Sequence, residues 1–190
     1  MSMIGNFRTT CDLDIDALLE RPQRIELMLY GEYFSDNTKK KGIFSFFRKR
    51  KDEPHDNWKP IDIGKEIDVD KAWHGIHYLL TGKVWDASGP EAFIVSGGIE
   101  IGDVDVGYGP SRAFKSKEVK KIARRLRDIE KNKLIESCDK NNFSENEIYP
   151  EIWDEEPESC FGYILEHFEA LKHFVSEAAE DGKALIVYIN

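Results

Sequence analysis

The C-terminal end of the chain constrains the fold most. Ala184-Leu185-Ile186-Val187-Tyr188-Ile189 carries no charged residue, so a strand made from it has no face suited to water. Such a strand belongs inside a sheet that is covered on both sides. The residues before it, about Ser159–Asp181, read as one long amphipathic helix. Phe161, Ile164, Leu165, Phe168, Leu171, Val175 and Ala178 fall on one face, and Glu166, Glu169, Glu177 and Glu180 on the other. Gly182 stops that helix, and the chain turns directly into the buried strand.

The rest of the chain supplies partners for both elements. Met3–Thr10 reads as a short strand. Asp14 is placed to cap a helical turn through Ile15, Leu18 and Leu19, and Pro22 to open a second helix that Gly31 ends. Asp70 is a good cap for a helix over Lys71–Leu80, closed by Gly82. Ala92-Phe93-Ile94-Val95 has the length and composition of a buried strand. Ile99–Val106 alternates apolar with acidic residues, and Gly102 in its middle predicts a bulge. Ser116 is expected to cap a helix whose Val119, Ile122, Ala123, Leu126 and Ile129 form one stripe; another helical piece is expected over Lys133–Cys138. Strands and helices alternate without a βαβ rhythm, so the class expected is α+β: a small mixed sheet packed by several helices in a single domain, 1–190.

A chain of 190 residues with 41% hydrophobic and 33% charged residues can bury a core without disulfides or a metal. Cys11, Cys138 and Cys160 are odd in number and form no C-x-x-C pair, which suits a reducing, cytoplasmic setting. The N-terminus lacks the features of a secretory signal, and no apolar run is long enough for a transmembrane segment. The net charge of −9 argues against nucleic acid as a partner.

Charge is unevenly spread. Lys39, Lys40, Lys41, Arg48, Lys49, Arg50 and Lys51 are interleaved with Ile43, Phe44, Phe46 and Phe47 and contain no acid between them. Residues 36–60 lose all periodicity and read as a flexible basic insertion. Such a segment folds back on the acidic body, remains a free loop, or makes weak contact with an anionic membrane surface.

Three further stretches carry side chains capable of chemistry. In Trp73-His74-Gly75-Ile76-His77-Tyr78 the two imidazoles are one helical turn apart, about 5–6 Å between Cβ atoms. They could share an anion or a metal, or be core histidines; no third ligand stands nearby, so no metal is assigned. Gly75 in mid-helix predicts the close approach of another backbone or a ligand. Gly107-Tyr108-Gly109-Pro110-Ser111-Arg112 is a turn that throws Tyr108 outward, with Arg112 available to an anion or an internal acid. Ile148-Tyr149-Pro150-Glu151-Ile152-Trp153 is a rigid aromatic turn, suited to an interface or to plugging the core.

These same residues carry a resemblance. Met3-Ile4-Gly5, the stretch from Ile67 to Gly82 containing Asp70-Lys71-Ala72-Trp73-His74-Gly75-Ile76-His77, Gly107–Arg112, and Tyr149-Pro150 with Ile152-Trp153 resemble the YfbM-like family of bacterial proteins. The likeness runs nearly end to end. It implies a small cytoplasmic α+β domain of unknown function, and it implies no activity, cofactor or catalytic residue. The segment around residues 38–57 looks like a variable insertion.

The expected function is a binding or interaction module. Trp73, His74, His77, Tyr108, Arg112 and Trp153 would line one polar-aromatic cleft for a small polar ligand or a partner's chain end. Two alternatives stand beside it. One is a small hydrolase-like or metal-dependent enzyme using His74 or His77. The other is an immunity-like partner that turns its acidic surface on a basic protein.

Overall fold

A computed structural model of the chain describes residues 2–33, 57–151 and 157–190. Most of the expected insertion, the basic run 39–51 and Trp153 lie outside the described residues. In chain order the elements are β1 (Gly5–Thr10), α1 (Asp12–Glu20), α2 (Arg24–Tyr30), β2 (Glu66–Asp68), α3 (Trp73–Thr81), β3 (Ile99–Asp105), β4 (Pro110–Phe114), α4 (Ser116–Arg127), α5 (Lys131–Glu136), α6 (Lys140–Glu145), α7 (Pro157–Glu180) and β5 (Ala184–Ile189). Single 3-10 turns at Asp70–Ala72 and Pro90–Ala92 complete the list.

The strands form one sheet in the order β2-β1-β5-β4-β3. The α+β class holds. The sheet, expected to mix orientations, is antiparallel at every pairing. β5 is the central strand, paired along its length with β1 from Gly5↔Ile189 to Thr10↔Ala184, and with β4 on its other side. The two faces divide by the period of two. Leu185 and Val187 join Phe7 and Phe114 against α3, α4 and α7, whereas Ala184, Ile186 and Tyr188 join Ala113 and Ile101 against α1 and α2. Each such side chain, fully buried, is worth roughly 1.5–3 kcal/mol, so covering both faces is what fixes β5 in the middle.

Several local expectations are corrected. Ala92, Phe93 and Ile94 are buried, yet they form a 3-10 turn and loop rather than a strand. Pro90 opens that turn, and Gly97 and Gly98 both have positive φ, so extended backbone is interrupted on both sides. Asp70 does not cap α3: it has φ of 44°, is the first residue of a 3-10 turn, and its carboxylate accepts the Tyr163 hydroxyl at 2.9 Å. Asp14 does not cap α1 either; that helix begins at Asp12, and Asp14 lies wholly buried within its first turn. The second helix begins at Arg24 rather than Pro22.

Ser116 is the first residue of α4, and its cap comes from elsewhere. Asp12 on α1 accepts from both Ser116 N and Ser116 Oγ at 2.7 Å, and Glu118 accepts from Lys115 N at 2.9 Å. One carboxylate thereby ties the start of α1 on one side of the sheet to the start of α4 on the other. Asp12→Ala is expected to lower stability by about 1–2 kcal/mol, the usual cost of losing a cap, measured as a shift in urea midpoint at unchanged m-value.

The expected stops are where the sequence puts them. Gly31 and Gly82 are both left-handed at helix ends, and the β3–β4 register shifts between Glu100 and Asp105, around Gly102 with φ of 62°.

Candidate functional site

Trp73, His74 and His77 enter the core together on α3, at 1%, 0% and 0% exposure. What approaches Gly75 is another helix: a Cβ there would lie 2.6 Å from Ile164 Cδ1 of α7. Gly5 gives room on the other side, since a Cβ there would stand 2.6 Å from Trp73 Cβ. The glycines at both places serve close packing around α3.

His74 has a defined job. Its Nδ1 accepts from Tyr149 N at 3.0 Å and its Nε2 lies 2.9 Å from Val84 O, so the ring is neutral with the proton on Nε2. One imidazole thus joins α3, the segment after α3 and the Tyr149-Pro150 turn. Aromatic rings extend the joint on both sides. Trp85 stacks on His74 at 4.3 Å and Trp73 stacks on it at 5.0 Å, with Tyr149 5.9 Å beyond Trp73. Trp73 Nε1 donates to Met3 O, and Tyr149 Oη accepts from Met3 N, so the N-terminal residues close the cluster. Burial lowers the His74 pKa, opposed in part by the bond to Val84 O.

His77 is buried with neither ring nitrogen in a hydrogen bond. Burial first, then the neighbouring His74, push its pKa down to about 4, with Arg112 adding least; a main-chain contact with Trp85, short of a full hydrogen bond, opposes them. The ring is a neutral, apolar filler at neutral pH. An apolar side chain of similar size should do as well, because no bond is lost on replacement. His77→Leu is expected to leave stability near pH 7 within ~1 kcal/mol of the parent or above it, read from denaturant midpoints.

Arg112 faces the same side of the sheet, but its guanidinium is committed. Nη1 donates to Phe93 O at 3.1 Å and Gly97 O at 3.2 Å, and Nη2 donates to Ile94 O. It supplies the hydrogen bonds that the 93–97 loop would have made as a strand. Burial draws its pKa down to about 10, opposed by Glu100 directly across the hairpin.

Tyr108 is not with these residues. It is 46% exposed on the β3–β4 turn, where Asp105 Oδ1 accepts from Gly107 N and Gly109 N at 2.9 and 3.1 Å and Tyr108 N donates to Ile189 O. The structure therefore gathers Trp73, His74, His77 and Arg112, adds Trp85 and Tyr149, and leaves Tyr108 apart. Among the described residues, no three His, Cys, Asp or Glu side chains are grouped to hold a metal ion.

The concave surface lies elsewhere, between the C-terminal end of α7 and the segment leading into β2. A cleft of about 200 Å³ is floored by Phe174 and Ala178 and rimmed by Asp62, Lys65, Glu177, Asp181 and Lys183. Lys65 stands 3.4 Å from Glu177, Lys183 2.7 Å from Asp62, and His173 3.6 Å from Glu177. The contact with Asp62 raises the Lys183 pKa. The rim is held in place by Asp14, which accepts from Ile61 N at 2.9 Å and Asp62 N at 2.8 Å. Gly64, with φ of 65°, lets the loop press on Thr9, whose carbonyl oxygen would be only 1.9 Å from a Cβ. A second, more open groove of about 430 Å³ runs beside Asn6, Glu66, Asp68 and Tyr188, with Arg8 and the Tyr188 hydroxyl both on Glu66.

A family model described as "Domain of unknown function (DUF1877)" matches residues 1–188. The chain belongs to that family. Among solved structures, the fold is similar to that of YfbM from Escherichia coli, "a Protein of Unknown Function", with a TM-score of 0.67 and 21% identity over 98% of this chain and 99% of that one. No curated protein matches the chain. At that identity the likeness shows the fold, and the resemblance drawn from the Trp73–His77 stretch agrees with it. In this member of the family, the stretch that identifies it serves the core.

None of the signals used above pointed to the cleft. Its charged residues come from positions 62–65 and 177–183, at the ends of elements, where single charges carry no periodicity. Among the described residues no helix is long and apolar enough to cross a membrane.

Proposed function

We propose that the protein is a binding module of the bacterial cytoplasm, and that its site is the cleft between α7 and the 62–65 loop. One observation carries this: two ammonium groups and three carboxylates line the same cleft as the apolar Phe174 and Ala178, with Lys65 paired to Glu177 and Lys183 to Asp62. Exposed ion pairs such as Lys65–Glu177 are worth about 0–1 kcal/mol, so a ligand can exchange them for its own charges at little cost. The space is below the roughly 300–1,000 Å³ of drug-sized sites, which favours a ligand of few atoms. A small zwitterion fits best: its carboxylate meets Lys65 or Lys183, its ammonium meets Glu177 or Asp181, and its side chain lies on Phe174. The free cysteines Cys11 and Cys138 support the compartment.

The enzyme reading, with His74 or His77 as general base or metal ligand, finds both rings at 0% exposure and is not the one the geometry favours. The test is a titration of the isotopically labelled protein with free L-amino acids, followed by amide shifts. Expected are saturable shifts at Thr9, Gly64, Lys65 and Ala178. They should weaken at least ~10-fold for N-acetylated or amidated derivatives and in Lys65→Ala/Glu177→Ala, equivalent to about 1.4 kcal/mol. No shift at these amides at millimolar ligand, or equal response to the blocked derivatives, removes the proposal.

A further inference from the structure

The segment 83–88 lies over α3 as a strap, flanked by Gly82 with φ of 65° and Gly89 with φ of 98°. Its hold on the body is narrow. Val84 O accepts a hydrogen bond from His74 Nε2, and the Trp85 ring stacks on His74 while remaining 51% exposed. The strap's other attachments are Ser96 Oγ to Trp85 O at 3.3 Å, the Thr81–Lys83 contacts at its base, Trp85 tilted 6.1 Å from Trp73, a loose main-chain contact of Trp85 with His77, and the half-buried Val84 on the core. Beyond Gly89 the chain is fastened separately, by Arg112 on the carbonyls of Phe93, Ile94 and Gly97. Beneath the strap lie His77 and Trp73, sealed from water.

We propose that residues 83–88 form an acid-released lid: a proton added at His74 Nδ1 removes the acceptor of Tyr149 N–H and frees the strap and the Tyr149-Pro150 turn from α3. Nδ1 then carries a hydrogen that points at another hydrogen, and the ring becomes a buried cation. Glu147 and Glu151, the acids beside Tyr149, are exposed to solvent and so compensate it weakly. Arg112 on β4 and His77 on α3 are cationic or become so, and Tyr78 and Tyr149 are neutral. Lys83 and Asp86 on the strap are exposed, and Glu91 is turned to Arg125 at 3.5 Å. His77 adds to the effect, since opening the lid gives water to a ring with no partner in the closed form.

The sign follows from both pKa values being lowered by burial. The closed form is favoured above the ordinary histidine value of about 6.5 and loses that advantage as pH falls from there toward about 4, the value His77 takes in the closed form. Closed-lid protection should therefore drop at least ~10-fold between about pH 7 and pH 5.

Amide hydrogen exchange, corrected for the intrinsic chemical rate, tests this on the full chain. Expected is a local loss of protection at the Trp85 and Tyr149 amides on acidification, while β5 amides stay protected. The loss should shrink in His77→Leu and shrink separately in His74→Gln, whose amide can donate to Val84 O and accept from Tyr149 N without titrating. Three results overturn the proposal: protection that does not change with pH, protection lost together at Trp85 and β5, or an undiminished acid effect in His77→Leu. Should His74→Gln fail to fold, the His77 variant and the local-against-global comparison still decide.

Discussion

Asp14→Ala is expected to lower the unfolding free energy by about 3 kcal/mol, because it strips a buried charged acceptor from two part-buried main-chain donors. Asp14 is fully buried on α1, where Oδ1 accepts from Ile61 N at 2.9 Å and Oδ2 from Asp62 N at 2.8 Å. Cys11 Sγ sits 3.3 Å from Oδ2 as a weaker donor. The Thr10 hydroxyl is 3.1 Å from Oδ2 and 2.8 Å from Asp62 O, and its one proton serves either at a time. Without the carboxylate, the amides of Ile61 and Asp62 lose the buried acceptor that both share. Hydrogen bonds to a charged acceptor are worth about 1.5–3 kcal/mol each, which sets the size of the effect. Asp14→Asn keeps one carbonyl acceptor and should recover part of the loss. Denaturant midpoints of the three proteins measure this. Near-equal midpoints for Asp14→Ala and the parent would show that the 61–62 segment is not held as described.

Gly64→Ala is expected to cost about 3 kcal/mol and to close the cleft at the same time. Two penalties combine. The φ of 65° is strained for an L-residue, and the new Cβ would stand 1.9 Å from Thr9 O and 2.6 Å from Thr9 C. The backbone has little room to yield, since Thr9 N donates to Lys65 O and Lys65 N donates to Thr9 Oγ1, both at 2.8 Å. Relief must come by moving the 62–65 loop, which carries Asp62 and Lys65 away from Lys183 and Glu177. A lower thermal midpoint, together with loss of the amino-acid response, is the expected pair. Gly31→Ala makes the control: its φ of 76° is similar, nothing lies within 4 Å of its Cβ, and it should cost only about 1 kcal/mol.

The parts of the fold that could be read from sequence are those where one residue type has one physical use. Ala184–Ile189 is uncharged on both faces, so its central place in the sheet follows. The stripe from Phe161 to Ala178 predicts α7, and Gly31, Gly82 and Gly102 mark positive φ where it is found. Ala92–Val95 misleads because burial and apolarity are common to strands and buried loops; Pro90, the left-handed Gly97 and Gly98, and Arg112 arriving from β4 distinguish them. Glu66–Asp68 is too short to show a period, and Lys140–Glu145 has a single buried apolar residue, Phe143.

The candidate site divides in the same way. Trp73-His74-Gly75-Ile76-His77 announces itself as unusual, and the structure agrees that it is. What the sequence withholds is which groups the imidazoles meet, because Val84, Trp85 and Tyr149 come from other segments and nothing local requires them to converge. Tyr108 and Arg112 are four residues apart, yet Tyr108 sits on the turn outside β4, whereas Arg112 lies within β4 and is drawn under the 93–97 loop. The cleft has no motif at all, being assembled from the ends of β1, α7 and β5.

The side-chain nitrogen spectrum of the histidines tests the account at its centre. For His74 near pH 7, a protonated, slowly exchanging Nε2 and an unprotonated Nδ1 in acceptor chemical shift are predicted, with His77 neutral until about pH 4. Either ring titrating near the ordinary value of about 6.5, in a molecule that stays folded and closed, would contradict it.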